Sequence, residues 1–460
     1  MNAKNDKKGS RRTAILNEPI LPLLVKTSVP TIIGMMVMVI YNLTDTFFVG
    51  MLNNKSMTAA IGVVFSFMSF MQAIGFWFGY GSGNRMSKKI GEDEEREAEI
   101  LSSVGILLAI VIGILAAVLS WIFLVPLSRF IGGSASDNLL TFTMEYLQVI
   151  IISIPFGLYS ITLYNQLRLC GNVKDGMIGL LAGMVVNMVL DPVLMFGFKM
   201  GFIGAGYATL LGQIAGCIIL TSLSRRNGNI AVDLKKAKWN KERVYHILAG
   251  GMPNFSRQSI TSIALILLNA AAAKYGEGLI AALTISSRIA ALAYMIMIGW
   301  GQGFQPICAM NYGARQHDRV KKAFQLTVAV GTVFLMLSAV MLYIFSEPLI
   351  KTMAKDKEVI LISVRILRMQ CITMPLLGYF AVSSMLLQNI GQYFWASVLS
   401  VSRQGLFYIP LLYLLSNLLG QFGIYLLQPA ADALSFVLAV IVVYRINKEQ
   451  INNRKKMQRA

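Results

Sequence analysis

This sequence predicts an all-α integral membrane protein. It reads as twelve transmembrane helices in two six-helix lobes related by a parallel internal repeat. Three observations predict that fold. Only 14% of the 460 residues are charged and 56% are hydrophobic, whereas a soluble domain carries about 25% charged residues. Twelve apolar runs each reach the roughly 20 residues that a helix needs to cross ~30 Å of hydrocarbon. Prolines and glycines of the first half recur in the second at a shift of about 220 residues.

The elements follow in order. Residues 1–20 form a basic tail that includes Lys7, Lys8, Arg11 and Arg12. The tail imitates the start of a signal peptide, but the next apolar run is too long for one and lacks a small-residue cleavage site. That run, 21–49, is span 1 and contains Pro30. Spans 2 to 6 follow at 57–83, 100–125, 139–163, 175–198 and 202–223, completing an N-lobe over 21–223. Residues 224–243, with Asn227-Gly228 and a lysine cluster, form a polar inter-lobe loop. Spans 7 to 12 at 244–273, 278–305, 323–345, 359–386, 394–416 and 422–445 make a C-lobe over 244–445, and 446–460 form a second basic tail.

The net charge of +19 would suggest a nucleic-acid partner in a soluble protein, but its distribution points elsewhere. Of the 41 lysines and arginines, 28 fall in the tails and even-numbered loops and seven in the odd-numbered loops. This positive-inside asymmetry puts both termini in the cytoplasm and requires an even number of spans. The expected partner is therefore the lipid bilayer of the cytoplasmic membrane, not nucleic acid. The four cysteines are scattered without a CxxC pair, and His246 and His317 stand alone at loop edges, so neither a disulfide nor a metal site is expected. The same scarcity of histidine and cysteine argues against an enzyme.

The repeat carries the architecture. Gly79, Gly81 and Gly91 correspond to Gly301, Gly303 and Gly313 at a shift of 222, and Pro155 and Gly171 to Pro375 and Gly391 at 220. Six spans per half start both halves on the same side, which makes the repeat parallel. Gly75, Gly79 and Gly83 share one helical face, a spacing that lets helix backbones approach closely. Gly79-Tyr-Gly-Ser-Gly83 has no preceding strand, and no GxxxxGK[ST] follows, so a phosphate loop is not expected and ATP does not drive this chain.

Ionisable side chains inside hydrocarbon cost several kcal/mol and are functional candidates by default. Asp45 lies late in span 1, four residues after Tyr41. Asp191 lies in span 5, four residues after Asn187 and directly before Pro192, and Asp432 lies in span 12. The i,i+4 pairs share a helical face, and Pro192 frees a backbone carbonyl. Carboxylates in a low-dielectric cavity shift toward their neutral form, so such a pair can take up H+, or Na+ with amide and hydroxyl oxygens. The plainer alternative is that each Asp hydrogen-bonds a neighbouring helix. The repeat counterparts of Asp45 and Asp191 are Leu268 and Leu411, so the acids do not recur with the architecture. Pro30 and Pro253 each kink a span, statically or as a hinge. Arg257, Arg288, Arg365 and Arg368 are cations within second-half spans. The 26 methionines and many aromatics suit lipophilic cations, although packing accounts for most of them.

The two six-helix halves, Pro30, the Tyr41-Asn-Leu-Thr-Asp-Thr-Phe-Phe-Val-Gly50 stretch and Asn187-xxx-Asp191-Pro resemble the multidrug and toxic compound extrusion (MATE) family. Arg168-Leu-Cys-Gly171-Asn and Gly204-Ala-Gly-Tyr-Ala-Thr209 fit it as well, and Gly251-Met-Pro-Asn-Phe-Ser-Arg-Gln258 is similar to its MepA-type bacterial branch. The resemblance covers essentially the whole chain. It implies a secondary-active multidrug exporter of amphipathic organic cations, a monomer without a cofactor, coupled by antiport to H+ or Na+. It further implies an N-lobe cation site at the matching positions Asp45, Asn187, Asp191 and Thr209, with Tyr41 and Tyr146 beside it. Asp45, Asp191 and Tyr41 are also the expected substrate contacts, Pro30 is the expected hinge, and no metal other than Na+ is implied. NorM-like members use a Glu in span 7, where this chain has Arg257-Gln-Ser-Ile-Thr261, so a C-lobe cation site of that kind is not expected. The alternative function on this general fold is a lipid-linked saccharide flippase, favoured by Arg257 and Arg288 and opposed by Asp45 and Asp191.

Overall fold

The computed structural model describes residues 12–52, 54–133, 136–226 and 228–459, of which 39–43, 45–46 and 450–459 are described by backbone alone. Helices coincide with all twelve apolar runs. They are α1 (Ile20–Gly50), α2 (Lys55–Gly91), α3 (Glu95–Ile122), α4 (Asp137–Leu169), α5 (Val173–Pro192), α6 (Phe202–Ser224), α7 (Lys241–Ala273), α8 (Glu277–Gly313) and α9 (His317–Ile344). α10 comes in two segments, Lys357–Thr373 and Leu376–Asn389, bent by 57°. α11 also comes in two, Tyr393–Val401 and Tyr408–Leu419, joined by a π-helical turn at Ser402–Leu406, and α12 is Gln421–Arg459.

Among the described residues, ten helices are long and apolar enough to cross a membrane, and the bent α10 makes eleven. α7 has the length, at 33 residues, but not the apolarity. Its first half carries Lys241, Glu242, Arg243 and His246, and its middle carries Asn254, Arg257 and Gln258. The α10 bend falls at Met374–Pro375, where proline cannot donate into the helical ladder.

The chain divides into two compact units. One runs to Phe255 and takes in Ala309–His317, and the other holds Ser256–Cys308 and everything from Asp318 onward. Both helices shared between units, α7 and α8, change unit two residues after a proline, Pro253 and Pro306.

In the first unit, α2 packs along α4, and α4 also meets α3 and α6. The expected glycine face accounts for the α2–α4 pair. A Cβ on Gly79 would lie 2.9 Å from Asn165 Cβ, one on Gly75 3.2 Å from Ile161 Cβ, and one on Gly83 3.1 Å from the Asn165 carbonyl. The Gly79–Gly83 stretch is thus helix-packing surface. The close approach buries a polar cluster. Ser102 Oγ donates to Gln166 Oε1 at 2.9 Å, and Gln166 Nε2 donates to Ser82 Oγ at 2.9 Å. Arg168, also buried, donates to Asn165 Oδ1 at 3.1 Å and lies over the Tyr80 ring. The loop before α7 and the first turn of α7 are fastened to the start of α3 by two ion pairs, Lys236–Glu99 at 2.8 Å and Arg243–Glu97 at 2.7 Å. The hydrogen bond that Lys236 Nζ donates to Glu99 holds the Lys236 ammonium pKa above its ordinary value. In the second unit, α12 packs against both segments of α10 and the second segment of α11 around an apolar core that includes Leu268, Leu412 and Leu427.

Candidate functional site

The expected N-lobe residues lie mainly on α5 and α6, and glycine sets how those helices cross. A Cβ on Gly183 would sit 2.8 Å from the Gly212 carbonyl and 3.1 Å from Gly216 Cα, while one on Gly212 would sit 2.8 Å from Asn187 Cβ. Larger residues would hold the backbones apart. With glycine the two helices touch, and Asn187 Nδ2 donates to Thr209 Oγ1 at 3.3 Å. The turn between the helices is built for this return. Pro192 cannot donate to the carbonyl of Met188, the helix widens into a π-helical turn at Val193–Gly197, and Gly201 takes φ +58° just ahead of α6.

Asp191 lies one turn beyond Asn187 and is fully buried. Tyr146 of α4 is buried as well and stacks on Phe202 at the start of α6, with ring centroids 5.1 Å apart. The structure thus brings Asn187 and Thr209 into contact, puts Asp191 on the same helix as Asn187, and sets Tyr146 against α6. The side chains of Tyr41 and Asp45 lie outside the described residues, although the backbone of α1 that carries them is described, and α1 packs on α5. α1 runs helically through Pro30. Near it, Thr27 Oγ1 donates to the Leu23 carbonyl at 3.0 Å and Thr31 Oγ1 to the Ser28 carbonyl at 2.7 Å.

Asn187 and Thr209 line a cavity of about 70 Å³ with Met38, Gln72, Tyr164 and Gln213. The Asn187 Oδ1 and Ser160 Oγ atoms at its wall are buried and make no hydrogen bond among the described residues. Buried polar oxygens of that kind suit water or a hard cation. The two glutamines were not legible as site residues, because an uncharged amide in a span gives no signal comparable to a carboxylate.

The second unit holds a site that the sequence reading only half found. Asp432 of α12 is 2% exposed and accepts from Arg403 Nε at 2.7 Å and from Gln428 Nε2 at 2.7 Å. Arg403 sits on the π-helical turn of α11, with its guanidinium 4.7 Å from the Tyr294 ring centroid. Asp432 is therefore an ion-pair partner, the plainer of the two readings of an acid in a span. Arg403 was missed, and the available signal was charge complementarity: an Arg in span 11 facing an Asp in span 12. Of the arginines that were singled out, Arg368 donates to Ser346 Oγ at 3.0 Å and lies over the Tyr343 ring. No cluster of three or more metal-ligating side chains occurs among the described residues.

Comparison with known proteins gives a consistent family. The MatE family model matches residues 30–193 and again 253–414. The two matches are offset by 223 residues at their starts and 221 at their ends, close to the repeat shift read from proline and glycine. The chain is 27% identical over 429 residues to the multidrug export protein MepA of Staphylococcus haemolyticus, covering 93% of this chain and 94% of that one. Among solved structures, it is similar to a MATE protein in its bent conformation (TM-score 0.88, 21% identity, 98% and 99% of the two chains covered). It is also similar to one in a straight conformation (TM-score 0.87, 21% identity, 97% and 99% covered). At that identity the structural likeness speaks for the fold.

Proposed function

The chain belongs to the MatE family, and from that premise we propose that it is a secondary-active multidrug exporter of amphipathic organic cations. It works in the cytoplasmic membrane as a monomer, with both termini inside, and exchanges its substrates for H+ or Na+. The observation that carries this reading is the meeting of α5 and α6, with Asn187 bonded to Thr209 at a cavity wall and buried Asp191 one turn away. A carboxylate withdrawn from water is costly to ionise, so it binds a cation or takes a proton. Asp45 and Tyr41, on α1 next to α5, complete the cation site, with Tyr146 beside it. A cationic drug and the coupling ion then compete for the same carboxylates. Protonation or Na+ binding from outside neutralises them, the drug loses its attraction, and it leaves. Linkage makes the effect reciprocal, so bound drug lowers the affinity for H+ or Na+ by the same factor. Pro30 is the point at which α1 bends as its acid changes charge. Ion gradients supply the driving force, so neither ATP nor a cofactor enters the cycle. The multidrug export relatives support drug export as the activity.

The test is efflux of a fluorescent organic cation from vesicles with pH and Na+ gradients imposed separately. One gradient should drive efflux. Asp191→Asn and Asp45→Asn should abolish it in protein that still folds, while Leu411→Asn, at the repeat counterpart of Asp191, should leave most of it. Efflux indifferent to both gradients would remove antiport, and movement of a lipid-linked saccharide without drug efflux would support the flippase reading instead.

A further inference from the structure

The second unit contains a cavity of about 270 Å³, several times the room of the one beside Asn187. Five helices line it, and its chemistry differs from that of the first unit. Its charged wall is the Arg403–Asp432 pair. The carboxylate sits behind the guanidinium, with 3% of its side chain exposed against 17% for Arg403. Asp432 takes Arg403 Nε at 2.7 Å and Nη2 at 3.5 Å. A guanidinium has five N–H donors in a rigid plane. Asp432 engages Nε and Nη2, and Tyr294, whose ring lies beside the group, is a further side-chain partner, which still leaves donors over. Across the cavity, Gln370 is 9% exposed and its Oε1 accepts no hydrogen bond among the described residues. Gln404 and Gln428, in contrast, are consumed by each other and by Asp432. Leu265, Leu268 and Met374 supply apolar wall between these polar points. Thr261 and Ser287 are exposed, and Tyr408 and Asp432 are buried, so the cavity has a mouth and a floor.

Charge decides what such a cavity takes. Its wall is net neutral. An incoming cation meets Arg403 first and is repelled. An incoming anion meets the same guanidinium, but Asp432 already neutralises it, so a wall of zero net charge does not offset the cost of taking the anion out of water into a low-dielectric pocket. A neutral molecule meets neither penalty. It satisfies the site if it offers an acceptor to Arg403, a donor to Gln370 and an apolar body to the leucines. We propose that this cavity is a binding site for uncharged amphipathic molecules of one or two fused rings that carry an amide-like or sulfonamide-like group. The site is separate from the cation site of the first unit and does not depend on antiport.

Dansyl derivatives test this on the purified full-length protein, because one fluorescent body is available with different charges. Dansylamide is uncharged, dansylglycine is anionic and monodansylcadaverine is cationic. Dansylamide should bind with a fluorescence increase. Gln370→Leu should weaken it about tenfold, the cost of leaving one buried donor unpaired. Ser287→Phe, which places a ring at the exposed mouth, should abolish binding even if Gln370→Leu disturbs packing. Asp191→Asn should leave dansylamide affinity unchanged, so failure of the antiport reading would not imitate failure here. Wild-type affinity for dansylamide in both Gln370→Leu and Ser287→Phe would overturn the proposal. So would tighter Gln370-dependent binding of dansylglycine or monodansylcadaverine than of dansylamide.

Discussion

Gly91 and Gly313 pack reciprocally: a Cβ on Gly91 would run into the carbonyl of Met310, and one on Gly313 would run into the carbonyl of Lys88. Lys88 and Met310 are themselves 222 positions apart, the same shift that relates the two glycines. The ends of α2 and α8 therefore meet as repeat-related partners, each glycine admitting the backbone of the other helix. Lys88 Nζ adds a cation–π contact 5.3 Å from the Tyr312 ring centroid.

Adding one methyl group at either glycine should therefore be expensive. Backbone atoms cannot swing aside as a flexible side chain can, so Gly91→Ala and Gly313→Ala should each cost about 1–3 kcal/mol through overpacking. Gly62→Ala in the same helix as Gly91 has nothing within 4 Å of its new Cβ and should be neutral or slightly stabilising. Melting temperatures in detergent compare the three. Equal values would show that the helix ends separate at little cost.

The Arg403–Asp432 pair gives a second expectation. Removing one member of a buried pair strands the other charge, which typically costs about 3–5 kcal/mol, whereas replacing both by apolar residues is often neutral. Arg403→Met should thus destabilise strongly, and Asp432→Leu likewise, while the double variant Arg403→Met with Asp432→Leu should recover most of the loss. A double-mutant cycle on thermal unfolding measures the coupling. Additive single effects would mean that the two groups do not act as a pair.

Much of this fold was legible because membrane helices are specified by local composition. The apolar runs marked the spans, Gly75, Gly79 and Gly83 marked the α2–α4 contact, and a shift near 220 marked the repeat. Where local composition was weaker, less could be read. α7 is long enough but carries Arg257, Gln258 and a charged first turn, and the bend of α10 at Pro375 was visible only as a proline. Asn187 and Asp191 stood out because a carboxylate in a span is costly and four residues make one helical turn. Thr209 did not stand out by spacing, since its contact with Asn187 depends on how α5 crosses α6, and it entered through family resemblance. Arg403 was passed over for a related reason. Its meaning rests on Asp432, 29 positions away on another helix, and pairing across helices is a tertiary fact.

The last expectation concerns the two helices that both units share. α7 changes unit between Phe255 and Ser256, two residues after Pro253, and α8 between Cys308 and Ala309, two residues after Pro306. A proline inside a helix removes one i→i−4 hydrogen bond and crowds the carbonyl four residues back, so the helix bends more easily there. Pro253 takes away the N–H that would meet the Ala249 carbonyl in α7, and Pro306 likewise takes one N–H out of the ladder of α8. Replacing either by alanine restores an N–H and favours the straight helix by up to about 3 kcal/mol in an unstrained setting. Pro253→Ala and Pro306→Ala should therefore bind organic cations with wild-type affinity and melt no lower than wild type, yet transport more slowly, and the double variant should be slower still. Binding by fluorescence and efflux from vesicles, measured on the same preparations, separate the two effects. If the double variant transports at the wild-type rate, the shared helices do not bend at these prolines during the cycle. If it loses cation binding in step with transport, the prolines serve the shape of the binding site.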